Sequence, residues 1–267
     1  MVSTPIGHLG DISIRALAVL KGVSAVCCED TRHAHILLQR YGIRTPTLAL
    51  HEHNEAQATP RLLERLRAGE PLALISDAGT PLVSDPGARL VNAAVGAGIR
   101  VIPIPGASAT LAALVASGIV PHPCTILGFL ARKGAERRAQ LELATSLPHA
   151  VVIFESANRL VETLQDIARM AVGPRSVAVA RELTKHYEEI QRGTLLEVAA
   201  YYEGTPPRGE IVIVLAGASV VVPTEDGLRA TTNALRAEGL QPREIVQRLV
   251  DDHGASRNLA YRLAHDT

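Results

Sequence analysis

The sequence has no tryptophan, only two phenylalanines and five tyrosines in 267 residues, and of its 27 basic residues only Lys21, Lys133 and Lys185 are lysines. So few rings cannot form a platform on which several single-stranded bases stack, and the core has to be built from Val, Ile, Leu and Ala. Net charge is lacking too, since 27 basic side chains balance 27 acidic ones. That balance excludes a polyanion-coating protein and requires any phosphate-binding patch to be local and arginine-rich. Three cysteines, Cys27, Cys28 and Cys124, contain no C-x-x-C spacing. A disulfide framework is thereby excluded, and a reduced, cytoplasmic protein is expected. The most apolar stretch, Ile211 to Val222, is about half the roughly 20 residues a membrane helix needs, and Gly217 and Ser219 interrupt it, so no membrane span is expected. The start Met-Val-Ser-Thr-Pro has neither a basic nor an apolar signal region, and no signal peptide is expected.

What is present is patterned for an α/β fold. At 47% hydrophobic residues, the chain can bury a sizeable core in one large or two modest domains. Candidate strands at Ala25–Cys28, Thr47–Leu50, Leu72–Ser76 and Val101–Pro105 alternate with helical segments near 12–21, 31–41, 55–68, 86–97 and 107–117, which reads as βαβ units and a parallel sheet. Asp85 and Pro86 supply an N-cap and a first-turn proline for the fourth of these helices, and Gly98 closes it. Gly118, Pro121 and Pro123 break the pattern, giving an N-terminal α/β domain at 1–120. A second α/β domain follows at 121–217, with strands at Thr125–Gly128, Ala150–Glu155, Ser176–Glu182, Glu189–Gly193 and Glu210–Leu215 and helices near 135–146, 158–171 and 195–203. Leu183 to Glu188 is too short for a helical crossover, so this second sheet is expected to be mixed. A polar linker containing Pro223 leads to a helical tail at 224–267, readable as a helix-turn-helix or as a plain helical hairpin.

Several stretches could carry chemistry. The loop from Ser76 to Gly87 and the loop from Pro103 to Ala109 leave strand ends, where open parallel sheets bind ligands, and their small residues permit close backbone approach. Each could equally be an ordinary βα turn, and neither matches G-x-G-x-x-G or G-x-x-x-x-G-K-[ST]. His51-Glu-His53 would put two imidazoles on one face of an extended segment, as in a metal-dependent hydrolase, or leave two polar loop histidines. Glu29-Asp-Thr-Arg32 and Arg181-Glu-Leu-Thr-Lys185 each place acids beside a guanidinium, as substrate contacts or as internal ion pairs. Arg132, Lys133, Arg137 and Arg138 form the densest basic run, fit for phosphates or for a solvated helix face.

Taken in order, Thr4-Pro-Ile-Gly-His-Leu-Gly-Asp-Ile, Glu29-Asp-Thr-Arg, His51-Glu-His-Asn-Glu, Ser76-Asp-Ala-Gly-Thr-Pro, Phe154-Glu-Ser-Ala-Asn-Arg, Arg181-Glu-Leu-Thr-Lys and Gly209-Glu-Ile-Val resemble the ribosomal RNA small subunit methyltransferase I family of the tetrapyrrole methylase superfamily. The resemblance covers residues 3–217, with a looser echo in the tail. It implies a two-domain tetrapyrrole-methylase-like fold with S-adenosylmethionine in the cleft between the halves. It further implies a homodimer that methylates the ribose 2′-hydroxyl of cytidine 1402 in 16S rRNA of the small ribosomal subunit.

Carried over by position, the resemblance assigns cofactor contacts to Ile6, to Asp77, Ala78, Gly79, Thr80 and Val83, to Ser108 and Ala109, and to Phe154, Ala180 and Glu210. Thr80 stands where the superfamily's G-D-P loop has its aspartate, which leaves open which polar group there meets the cofactor. Family members also carry several apolar residues ahead of the Thr-Pro-Ile-Gly motif, whereas Met1, Val2 and Ser3 alone precede it here. Either a longer start or a first strand reduced to a stub is expected. A proton acceptor for the ribose hydroxyl is sought among Asp30, Glu155, Glu182 and Lys185, with no metal required. Arg32 and Arg181, together with Arg132, Lys133, Arg137 and Arg138, are the candidate RNA contacts. The same fold also serves C-methylation of a tetrapyrrole precursor, and a noncatalytic RNA-binding module would bind no cofactor.

Overall fold

On β1 (Ala25–Cys28), successive side chains point to opposite faces, and both faces are buried. Cys27 packs with Leu50, Leu62, Leu74 and Leu90, while Val26 and Cys28 pack with Leu20, Leu37, Leu38 and Ile75. A strand covered on both sides belongs in a parallel sheet flanked by helices. β1 indeed pairs in parallel with β2 (Thr47–Ala49) and β3 (Leu72–Leu74), in the order β2-β1-β3. Burial pushes the two thiols up, to about 11 for Cys27 and about 12 for Cys28, so both remain protonated and unreactive at neutral pH.

The computed structural model describes residues 1–218 and 225–266. Helices α1 (Ile14–Gly22), α2 (Thr31–Arg40), α3 (Glu55–Arg67), α4 (Ala88–Gly96) and α5 (Ala109–Ala116) alternate with the first strands. Two sequence expectations need correction. Val101–Pro105 is not a strand but an extended segment with one isolated bridge, Ile104 to Val2. Pro103 and Pro105 lack the amide protons that a ladder needs. In its place the first residues dock as a short stub: the Val2 amide donates to Leu74 O (2.9 Å), and Ser3 and Ile104 donate to Ile104 O (3.1 Å) and Met1 O (2.8 Å). The N-cap of α4 is Gly87 at φ 120°, not Asp85. A Cβ on Gly87 would lie 2.5 Å from Leu74 Cδ2, so the close approach of this loop to β3 demands glycine.

The second sheet has five strands, β4 (Cys124–Phe129), β5 (Ala150–Ser156), β6 (Ser176–Arg181), β7 (Glu189–Thr194) and β8 (Glu210–Leu215), in the order β4-β5-β8-β6-β7. β4 and β5 are parallel and the other pairs antiparallel, the mixed sheet expected from the short 183–188 connection. One face is covered by α6 (Gly134–Ser146), α7 (Leu160–Met170) and α8 (Leu195–Gly204), through Leu141, Leu164, Ile167 and Val198. The other face, with Val152, Ala178, Ala180, Val212 and Val214, packs against Ala113 and Leu114 of α5 and against Ile6. The halves on either side of residue 120 therefore share a core, and residues 1–218 form one compact unit.

Residues 219–267 form the other unit, with the Pro223 linker lying outside the described residues. Its helices α9 (Glu225–Ala237), α10 (Pro242–Asp251) and α11 (Arg257–His265) enclose their own core of Leu228, Leu235, Ile245, Leu249 and Leu263. No helix among the described residues is long and apolar enough to cross a membrane.

Arg175 is buried, at 4% exposure, with no acidic partner among the described residues. Its guanidinium donates instead to Ala144 O (3.1 Å), Thr145 O (2.7 Å) and Leu147 O (3.4 Å), carbonyls at the C-terminal end of α6 that have no intrahelical donor. Replacing Arg175 by Met is expected to strand the Ala144 and Thr145 carbonyls, Leu147 O keeping the Ala218 amide (2.8 Å), and to lower the unfolding free energy by roughly 3 kcal/mol, measured by urea denaturation. An unchanged midpoint would show that water satisfies them equally well.

Candidate functional site

The site starts from the loop that leaves β3. Gly79 adopts φ 78° and exchanges two backbone hydrogen bonds with Thr4, Thr4 N to Gly79 O at 2.9 Å and Gly79 N to Thr4 O at 3.1 Å. The Thr4 hydroxyl donates to Ser76 O (3.2 Å). Thr80 Oγ1 lies 3.2 Å from Ser3 Oγ and donates to Ala107 O (3.2 Å), joining this loop to the one that enters α5. The Thr80 hydroxyl is thus used within the protein. Ser108 caps α5 by accepting from the Leu111 amide.

These loops and the ends of β5, β6 and β8 enclose a cavity of about 360 Å³. Its lining includes Ile6, Ala78, Gly79, Thr80, Val83, Ser108, Ala109, Phe154, Ala180 and Glu210, ten of the eleven positions expected to touch the cofactor. Asp77 lies instead in an adjoining cavity of about 330 Å³, which shares Ile6, Ala78 and Glu210 with the first and is also lined by His33 and Lys185. Sequence reasoning missed Asp85, Phe129, Leu183 and Gly209 in the first cavity. Phe129 ends β4 and Asp85 closes the β3 loop, so the strand-end rule applied to every strand would have found both.

Three acids line the first cavity, Asp85, Glu155 and Glu210. Glu155 is buried and fully engaged. It accepts from Thr163 Oγ1 (2.7 Å) and the Ser156 amide (2.8 Å) and pairs with Arg159 (3.4 Å). Glu210 is exposed and pairs with Lys185 (3.0 Å), which also reaches Glu182 (3.0 Å). Burial alone would push the Glu182 carboxyl up, but the Lys185 ammonium and the Glu210 amide outweigh it and hold the carboxyl below its usual range. Lys185 is likewise held above its ordinary value, because its two carboxylate partners outweigh burial. It is a cation here, not a proton acceptor. Strain accompanies this clamp, since Glu182 (φ 49°) and Thr184 (φ 64°) occupy the left-handed region. Asp85 is the cavity acid without a basic partner among the described residues. Burial, then the nearby Glu29 and Asp77 carboxylates, push it up to about 6 against a hydrogen bond from Ser76.

Elsewhere, Asp30 caps α2 and is chelated by the Arg32 side chain (2.7 and 3.0 Å), whose hydrogen bonds pull its carboxyl down to about 2. Arg181 is paired with Glu189. Arg132 and Lys133 are exposed without an acidic partner among the described residues, whereas Arg138 pairs with Glu142 (2.9 Å) on the surface. Arg137 corrects the expected basic patch: it is buried, donating to Asp166 (2.8 Å) and Thr163 (3.1 Å), because its position on α6 faces α7. The rings of His51 and His53 lie 6.1 Å apart. Among the described residues no group of three or more His, Cys, Asp or Glu is placed to hold a metal ion.

Gly209 (φ 84°) makes room for the clamp, since a Cβ there would lie 2.0 Å from Glu182 Oε1. Gly209→Ala is expected to displace Glu182 and cost about 1–3 kcal/mol. Because the folded Glu182 carboxyl is held low, the clamp contributes fully above about pH 4.5 and is lost as pH falls through the lower folded value. Denaturation at pH 7 and pH 3 should therefore show the larger penalty at pH 7; equal penalties would mean that backbone strain alone is responsible.

Comparison with known proteins agrees with this architecture. The family model for Tetrapyrrole (Corrin/Porphyrin) Methylases matches residues 1–199. Proteins named ribosomal RNA small subunit methyltransferase I are similar over most of the chain. That of Mesorhizobium japonicum is 49% identical over 82% of this chain and 74% of its own, and that of Synechocystis is 40% identical over 99% and 96%. The relative from Xylella fastidiosa is 43% identical over 98% and 96%. Among solved structures, the methyltransferase CobJ superposes with TM-score 0.61 at 18% identity, covering 82% of this chain and 93% of its own. The uroporphyrin-III C-methyltransferase from Thermus thermophilus, complexed with S-adenosyl homocysteine, gives 0.58 at 20% identity, over 80% and 95%. With the family model spanning most of residues 1–218 and these relatives extending through the tail, the chain belongs to the tetrapyrrole methylase family and, within it, to the ribosomal RNA small subunit methyltransferase I group.

Proposed function

We propose that the protein transfers a methyl group from S-adenosylmethionine to RNA of the small ribosomal subunit. The finer reading is 2′-O-methylation of cytidine 1402 in 16S rRNA by a cytoplasmic homodimer. The observation that carries it is the convergence of Ile6, the Gly79 loop, Ser108-Ala109, Phe154, Ala180 and Glu210 on one cavity, in a chain whose relatives bear the name of that activity.

The residues present suit this cofactor. Gly79 leaves a cradle, since a Cβ there would come within 3.2 Å of Ile6 Cγ2 and 3.7 Å of Ala107 O. Phe154, Phe129, Ile211 and Val212 offer an apolar wall for a planar base, and the acids suit a ligand that carries positive charge. When bound, S-adenosylmethionine supplies the methyl group: a lone pair of the acceptor oxygen forms the new C–O bond, the C–S pair returns to sulfur, and the hydroxyl proton is released. The protein's part is to hold donor and acceptor in line and to take up that proton. Nothing found supports the metal-dependent hydrolase reading, and no specific observation favours a tetrapyrrole acceptor over RNA.

Calorimetry should show one S-adenosylmethionine bound per subunit, and Gly79→Val should weaken it at least tenfold while the circular dichroism spectrum is kept. Absence of binding to the wild type would sink the assignment. Rebuilding the substrate surface on its free cations, Arg132 and Lys133 changed together to Gln should flatten log affinity against log salt for single-stranded RNA by about 1.4, at roughly 0.7 per phosphate contact. Cofactor affinity should not change. An unaltered slope would remove this pair from the RNA surface. Small subunits from a deletion strain should accept one methyl group, on a single cytidine ribose; a base-methylated product would refute the finer reading.

A further inference from the structure

We propose that Asp85 is the catalytic base that removes the proton from the acceptor hydroxyl, a role that rests on the methyltransferase reading above. The assignment follows from position and from elimination. Asp85 lines the cavity that suits the cofactor and lies within electrostatic range of Asp77, which lines the adjoining cavity beside His33 and Lys185. It lines that cavity with no basic partner among the described residues, so its carboxylate is free to take a proton from an acceptor hydroxyl that reaches the cavity. The other acids of the first cavity are occupied, Glu155 by Thr163, Ser156 and Arg159, and Glu210 by Lys185. Of the four acceptors expected from sequence, Asp30 is held by Arg32, Glu182 by Lys185, and Lys185 by two carboxylates, which leaves each ion-paired.

The local backbone aims Asp85 and does not use it. Leu82 (φ 73°) and Ser84 (φ 68°) are left-handed, Pro86 restricts the residue before it, and Gly87 takes over the start of α4. With α4 begun by Gly87, the Asp85 side chain has no capping duty. The charged groups within electrostatic range of it are Glu29, just after β1, and Asp77, just after β3. Glu29 is in turn within electrostatic range of Asp77, His51, Glu52 and Asp30, and His33 Nδ1 lies 3.9 Å from Asp77 Oδ2. This acidic surround weakens Asp85 as an acid yet leaves it mostly ionised at pH 7, which is the condition for a base working at that pH. A neutral Asn would fit the same surround at lower electrostatic cost, so the carboxylate is a feature that stability alone does not explain.

In the balanced step, the acceptor oxygen gives its lone pair to the incoming methyl carbon, and as its O–H becomes strongly acidic the proton passes to an Asp85 carboxylate oxygen, then to solvent. The test compares wild type with Asp85→Asn in three measurements. Single-turnover methylation of unmodified small subunits by the wild type should rise about tenfold per pH unit below pH 6 and level off above it. The variant should be at least a hundredfold slower at pH 7.5 and lack that limb. Cofactor affinity, by calorimetry, should fall no more than about tenfold, far less than the rate. The third readout needs no ligand. Because the folded carboxyl titrates near 6 against 3.8 for the free group, the wild type loses stability relative to Asp85→Asn as pH rises from 4 to 7, and the difference is constant above. An equal rate in the variant, a loss of cofactor affinity equal to the loss of rate, or melting curves that stay parallel from pH 4 to 7 would each overturn the proposal. A wild type inert on small subunits would overturn it together with the methyltransferase reading, whereas an active wild type and an equally active variant would overturn the base alone.

Discussion

Two backbone hydrogen bonds between Thr4 and Gly79 hold the site together. They require Gly79 to adopt a left-handed conformation that a side chain would strain, and they place Ile6 where it meets both the loop after β3 and the second sheet. From that junction follow the docking of the N-terminal stub beside Leu74, the Thr80 link to Ala107, and the start of α5 at Ser108. α5 then presses Ala113 and Leu114 onto the second sheet. The cavity is bounded by these contacts, so its shape depends on both halves at once.

Electrostatics divides the site into satisfied and unsatisfied acids. Glu155, Glu182 and Glu210 each have a cation within reach, and the Lys185 clamp ties the strained 182–185 loop to the start of β8. Glu29 and Asp85 have no cation paired with them among the described residues and lie within electrostatic range of each other and of Asp77, while Arg32 turns to Asp30 instead. Like charges held near each other raise the cost of ionisation, and proteins keep such arrangements chiefly where chemistry uses them.

A hydroxyl at position 80 ties the loop after β3 to its neighbours without adding charge. A carboxylate there would need a cation or several amides, whereas the threonine hydroxyl is satisfied by Ser3 and the Ala107 carbonyl.

Much of this was legible in the sequence. Strand and helix periodicity placed β1, the mixed second sheet and its helices to within a few residues, because those elements bury regular apolar faces. Ten of the eleven positions expected from the ordered motifs to touch a cofactor line one cavity, since loops at strand ends lie where the topology puts them. Val101–Pro105 misled because its apolar residues fit a strand, while its prolines deny it a ladder. Arg137 and Arg138 are adjacent in the chain, yet one is buried on Asp166 and the other is in water, a division set by which face of α6 meets α7. Asp85 read as a helix cap until Gly87 took that place. Local pattern thus determined the elements, the composition of the core and the order of the loops. Which charges are paired, and which carboxylate is left facing the cavity, was decided only by tertiary packing, because ion pairing depends on distances between residues far apart in the chain.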